Sequence, residues 1–242
     1  MLRLSGFLLA SPEARNFSRE DLEQRRPESK GMPTLKYKNS TNTHAQWDEY
    51  ELVSQVQLND DNDTESRGPP YKYLVYLIRG RSKLVLLAER RKVAEHVLNY
   101  VINQNIFPNL RKISINMDLM ISRCSEKDCE FLITSLHGRF AGSSRQLRSL
   151  SLYGDDVTSS GVYSNNADLF NFYSCGVGRR LYDEIPRFTP MDDGEILRVG
   201  NDGFVSFSLG DRKKALQFIK AVNFIVNGKW IPGWIPGLEE SI

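Results

Sequence analysis

The stretch YKYLVYLIRGRSKLVLLAER, residues 71–90, decides how the rest of the chain is read. Two β-rich runs, YKYLVYLI and SKLVLLAE, flank Arg79-Gly80-Arg81, and a short glycine turn between such runs makes a hairpin. Both runs are apolar at nearly every position, so the hairpin is expected at the centre of a sheet and covered on both faces. Helical spacing follows. Val93, Val97 and Val101 recur with Ala94, Leu98 and Ile102 until Pro108 ends the pattern, and Arg90, Arg91 and Lys92 occupy the first turn.

The same order returns near the C-terminus. EILRV and FVSFSL flank Gly200-Asn-Asp-Gly203, where Asn and Gly tolerate the positive φ of a tight turn. Asp211 is placed to cap a helix whose Ala215, Phe218, Ile219, Val222 and Ile225 form one stripe, with Gly228 placed to end it. Hairpin-then-helix used twice predicts an α+β protein: antiparallel sheet(s) with helices on one face. It is read as a single domain over 46–242 or as two related strand-strand-helix halves, 71–150 and 151–242, alike in pattern and scarcely in residues.

Between these arrangements, Ile113, Ile115, Met117, Leu119 and Ile121 alternate without a break and predict a strand. Ser125-Glu-Lys-Asp128 has capping-box character, so a short helix is expected to begin there. The run CEFLITSL from Cys129 suits a strand or a helix, whereas RSLSLYG from Arg148 alternates as a strand does. Trp47–Leu58 reads as an edge strand through Val53, Val56 and Leu58. Residues 59–70 hold no apolar side chain and read as a loop, and residues 154–194 as a long connection with one short helix near Ala167–Tyr173.

Residues 1–45 are read as disordered or as an extension, since 13–45 is too polar to offset the entropy of ordering. The opening MLRLSGFLLASPEA has the outline of a secretory signal, but Ser5 and Gly6 interrupt its apolar stretch. Three cysteines, Cys124, Cys129 and Cys175, leave one over in any pairing scheme. An intracellular protein, cytoplasmic or nuclear, is expected. No apolar run approaches the roughly 18 residues of a membrane span, so no membrane partner is expected.

A formal net charge of +2 hides strong segregation along the chain. Residues 46–70 carry one basic and seven acidic residues, 71–148 fourteen and six, and 149–205 four and nine. A basic middle between acidic flanks points to nucleic acid or an acidic protein surface as partner. The candidate anion-binding residues are Arg79, Arg81, Lys83, Arg90, Arg91, Lys92, Arg139, Ser143, Ser144, Arg145 and Arg148, with Arg111 and Lys112 nearby and tyrosines interleaved. Loops near Gly138–Arg145 and Cys175–Arg180 offer amides and guanidinium groups to a phosphate, but neither follows a Walker pattern.

Catalytic and metal sets are weaker. Cys124, Cys129, His137 and Cys175 lack the two-residue spacing of a zinc knuckle, and the cysteines read as buried and unconnected. Neither a catalytic residue, a metal nor a cofactor is assigned. The tandem Trp-Ile-Pro-Gly tail places Trp230 and Trp234 as a docking surface for a protein partner or a second copy. The leading expectation is a non-enzymatic binding subunit of a larger assembly. Its rivals are an enzyme acting on a phosphate ester or nucleotide, with Arg139 or Arg145 reaching Asp155, Asp156 or His137, and a homomeric structural protein.

Overall fold

The structure is a computed structural model that describes residues 2–11, 34–41, 47–54, 56–58, 64–65, 69–79, 83–103, 109–142, 148–180, 196–209 and 212–231. Antiparallel strands dominate, with helices packed on them. The chain divides into one unit of Met1–Ile113, Ser208–Ile219 and Glu240–Ile242, and another of Ser114–Phe207 and Lys220–Glu239.

The first unit contains β1 (Leu2–Ala10), β2 (Thr34–Thr41), β3 (Trp47–Ser54), the short pair β4 (Val56–Gln57) and β5 (Thr64–Glu65), β6 (Tyr71–Arg79), β7 (Lys83–Ala88), α1 (Arg91–Asn103) and β8 (Arg111–Lys112). Its strands run in the order β1-β7-β6-β3-β2, with β8 also on β1. The expected hairpin is therefore central. Leu84, Leu86, Val75 and Tyr50 turn toward Val97, Leu98 and Val101 of α1 around an apolar cavity of about 20 Å³. Such a space has room for about one water, and its apolar walls give a water no partners. It offers nothing to a metabolite.

The other face is covered as well. Trp47 packs its ring 6.0 Å from Tyr76 and 5.9 Å from Phe218 of the C-terminal helix. Helices thus lie on both faces of this sheet, correcting the expectation of one; strands apolar at almost every position require both covers. Trp47–Ser54 is likewise no edge strand, because β3 pairs with β2 and with β6.

Two strands come from residues expected to lack order. β1 pairs with β7 from Ser5↔Ala88 to Ala10↔Lys83, and β2 pairs with β3; residues 12–33 lie outside the described residues. Gly6, which breaks the apolar stretch, is fixed by close approach. A Cβ there would strike the Leu86 carbonyl and lie 2.9 Å from the Leu87 Cα.

The second unit holds α2 (Met117–Ser125), β9 (Phe131–Phe140), β10 (Ser149–Tyr153), α3 (Gly161–Asn166), β11 (Phe170–Arg179), β12 (Leu197–Gly200) and β13 (Phe204–Leu209, whose last two residues fall in the first unit). The last helix, α4 (Arg212–Val226), contributes its residues from Lys220 onward. The strand order is β10-β9-β11-β12-β13. Gly203, at φ 76°, closes the expected β12–β13 turn.

Three local readings change here. The unbroken alternation from Ile113 leads into helix α2, since Met117, Met120, Ile121 and Cys124 also form a helical stripe and all are buried. Asn116 settles the choice. Its side chain accepts from the Leu119 amide at 3.2 Å and caps the helix. Ser125–Asp128 ends this helix rather than starting one: the Glu126 amide donates to the Arg123 carbonyl, and Arg123 ion-pairs with Glu126 and with Asp128. Residues 154–180, expected as a loop with one helix, carry a 3-10 turn at Val157–Ser159, α3, a second at Ala167–Leu169, and ten-residue β11.

Asn116→Ala is expected to lower stability by about 1 kcal/mol, the usual value of an N-cap. Urea unfolding followed by circular dichroism measures it, and Asn116→Asp, which restores an acceptor, should recover most of the loss.

Candidate nucleic-acid interface

Strand register builds the site. In an antiparallel sheet, directly opposed residues share a face. Arg139 on β9 is opposed by Ser149 of β10 and by Asn171 of β11. His137 is opposed by Ser151 and Ser174, and Ser135 by Tyr153 and Gly176. The other face is apolar: Leu136, Phe170, Phe172, Cys175 and Val177 are buried there, and Tyr163 of α3 and Phe224 of α4 pack on it through Phe172 and Phe131. In this unit these helix contacts fall on one side of the sheet.

The polar side is open at its β10 end. Tyr153 is 68% exposed and Tyr173 40%. The His137 ring stands edge-on to Tyr153 at 5.5 Å, and its Nδ1 lies 3.0 Å from the Ser151 hydroxyl. Exposed Arg139 lays its guanidinium 5.5 Å from the Tyr173 ring centre. Tyr173 owes this position to a bulge, since Phe172 opposes Gly138 but Ser174 opposes His137, leaving one extra residue. Arg148 is exposed immediately before β10, where its carbonyl accepts from the Phe140 amide. Two exposed rings, a guanidinium, an imidazole and a row of hydroxyls therefore line one sheet surface. Both cross-strand neighbours of Arg139 are neutral.

The remaining basic candidates belong to the first unit. Arg90 and Arg91 are exposed and Lys92 half-buried in the opening turn of α1. Arg91 pairs with Glu95 at 2.9 Å. Lys112 of β8 lies 3.9 Å from the Phe7 ring centre and Arg91 5.9 Å from it, so one buried ring gathers cations from two distant segments. Lys83 is half-buried opposite Ala10. Arg81, Ser143, Ser144, Arg145 and Trp234, with the side chain of Arg79, lie outside the described residues.

Three expectations end elsewhere. Cys175–Gly178 is no phosphate loop; it is the buried middle of β11. Arg180 donates to the Cys129 and Cys124 carbonyls at 3.2 and 3.0 Å and pairs with Asp156 at 3.4 Å, while Thr158 also donates to Asp156. One carboxylate of the expected catalytic set, Asp156, is thereby held by Arg180, an arginine outside that set. Trp230 is 5% exposed, donates from Nε1 to the Ile225 carbonyl at 2.7 Å and packs its ring 4.9 Å from that of Phe224 at a 53° tilt, which makes it a core residue and not a docking residue. Among the described residues, no group of three or more His, Cys, Asp or Glu is arranged to hold a metal ion.

Charge alone does not single out Tyr153, Tyr173 or His137 as part of an anion-binding surface. The alternation of RSLSLY already places Ser149, Ser151 and Tyr153 together, but only register shows that they meet Arg139 and His137. No helix of the described residues is long and apolar enough to cross a membrane. No protein-family model matches the chain, and no curated protein sequence matches it.

Proposed function

We propose that this protein is a non-enzymatic nucleic-acid-binding subunit of a larger intracellular assembly, and that it receives single strands on the open face of β10, β9 and β11. The observation that carries the reading is the grouping of exposed Tyr153 and Tyr173 with Arg139 and His137 on one sheet surface. Flat rings accept bases by stacking, and guanidinium groups follow the backbone phosphates. An acidic protein surface would satisfy Arg139 and Arg148 equally well but would leave the two rings without a role. The cysteines, all reduced and buried, suit a reducing compartment.

A fluorescent single-stranded oligonucleotide, titrated over a salt series, tests this. With about three phosphates contacted, affinity should fall about twentyfold between 50 and 200 mM salt. A duplex of the same length should bind more weakly, because its bases are already stacked. Polyglutamate competing as well as the oligonucleotide, or affinity indifferent to salt, would count against nucleic acid as the partner.

A further inference from the structure

A second site stands apart from the open face and does not depend on its reading. Cys124 closes the buried stripe of α2, and the four exposed residues Ser125–Asp128 bring the chain back to Cys129, just before β9. That turn is tight: the Cys129 amide donates to the Glu126 carbonyl, and the Glu126 amide to Arg123. A single guanidinium, that of Arg180, reaches the carbonyls of both cysteines. Two nitrogens of one guanidinium hold the two carbonyls, so the backbone at Cys124 and at Cys129 is brought close together.

The two thiols shift each other's ionisation in opposite directions, and Cys175 of β11 acts electrostatically on Cys124. Cys124 and Cys129, separated by four residues and read from their spacing as unconnected, thus influence each other directly.

We propose that Cys124 and Cys129 are a redox pair that closes to an intrachain disulfide in the presence of a peroxide. The chemistry follows from which sulfur carries the charge. The contact with Cys124, a hydrogen bond from the Phe131 backbone and the nearby cations Arg123 and Arg180 lower the Cys129 thiol against the opposing effect of burial. Cys124 is pushed up by the same contact and by burial. Cys129 is the nucleophile and Cys124 the resolving thiol.

The Cys129 thiolate attacks one peroxide oxygen, the O–O bond breaks, and the departing hydroxide takes a proton to leave as water. The resulting sulfenic acid is attacked at sulfur by Cys124. The S–O bond breaks, and its oxygen leaves as a second water with the Cys124 proton. Two thiols are oxidised and one peroxide is reduced. Cys129 is 2% exposed and Cys124 fully buried, so the peroxide reaches them only as the exposed Ser125–Asp128 turn opens. Closure pins the end of α2 to the start of β9.

Tryptic cleavage separates the three cysteines, because Arg123, Lys127, Arg139, Arg148 and Arg179 bound three different peptides. The reduced full-length chain is treated with hydrogen peroxide, alkylated, denatured, alkylated again with a second reagent and mapped by mass. The expected product is a chain lighter by two hydrogens, in which peptide 124–127 is joined to peptide 128–139 and Cys175 is alkylated. Closure should run faster at pH 8 than at pH 6, following the Cys129 thiolate. Cys175→Ala should retain the bond. Three alkylated cysteines, a bond to Cys175, a bond between two chains or a rate flat with pH each overturns the proposal.

Discussion

Trp47→Ala is expected to cost about 4 kcal/mol of stability, within the range measured for removing a large buried aromatic. Trp47 is fully buried and touches the rings of both Tyr76 and Phe218 edge-on. The loss therefore has two parts: apolar area returned to water, and a cavity between β3, β6 and α4 that rigid neighbours fill only in part. Because the chain contributes α4 to this face from far along its sequence, the damage includes the docking of that helix. Urea unfolding followed by far-ultraviolet circular dichroism measures the change without relying on the indole that has been removed. Trp47→Phe, which keeps most of the volume, should lose less than half as much. Leu119→Ala, at a side chain 51% exposed, should stay within about 0.5 kcal/mol. A Trp47→Ala variant as stable as the parent would show that α4 does not lean on this residue.

The contrast between Trp47 and Leu119 also marks how far the fold can be read from residues alone. The Tyr71 hairpin and helices α1 and α4 are legible because their patterns fit one period only: continuous apolar strands, or stripes at three and four residues. The segment from Ile113 fits two periods at once. Its isoleucines and Met117 satisfy alternation, while Met117, Met120, Ile121 and Cys124 satisfy a helix, and the tie is broken by the single side chain of Asn116. Strand β11 is hidden for a different reason. Phe170 and Phe172 share a face with Cys175 and Val177, but the bulge at Tyr173 shifts the count by one, so no run of strict alternation survives.

β1 is lost to composition. Gly6 looks like a break until the neighbouring backbone is known to occupy the place of its Cβ. The site follows the same logic. Arg139 and Arg148 are visible as charges in a basic segment, but what a charge stands beside is a matter of register. Tyr153 becomes a neighbour of His137 only because Ser151 opposes His137, and no local spacing encodes that.

The double substitution Tyr153→Ala with Tyr173→Ala is expected to weaken single-strand binding by about a hundredfold. Stacking of one base on an aromatic ring contributes about 1–3 kcal/mol by alanine substitution, so two rings at the lower part of that range give two decades in affinity. Both rings are well exposed, so folding should be nearly untouched, with each change within about 0.5 kcal/mol. This separation of binding from stability distinguishes a surface role from a structural one. Tyr153→Phe and Tyr173→Phe keep the flat face and should retain most of the affinity, since stacking does not need the hydroxyl. Arg139→Ala should act differently, lowering affinity while flattening its dependence on salt by about one phosphate contact. Tyr173 is 5.5 Å beneath that guanidinium, so its removal also frees Arg139 to move, and Tyr173→Ala alone should weaken binding more than Tyr153→Ala alone. If the double variant bound as tightly as the parent with the salt dependence intact, phosphates would be held elsewhere, with the cations gathered over Phe7 the next place to substitute.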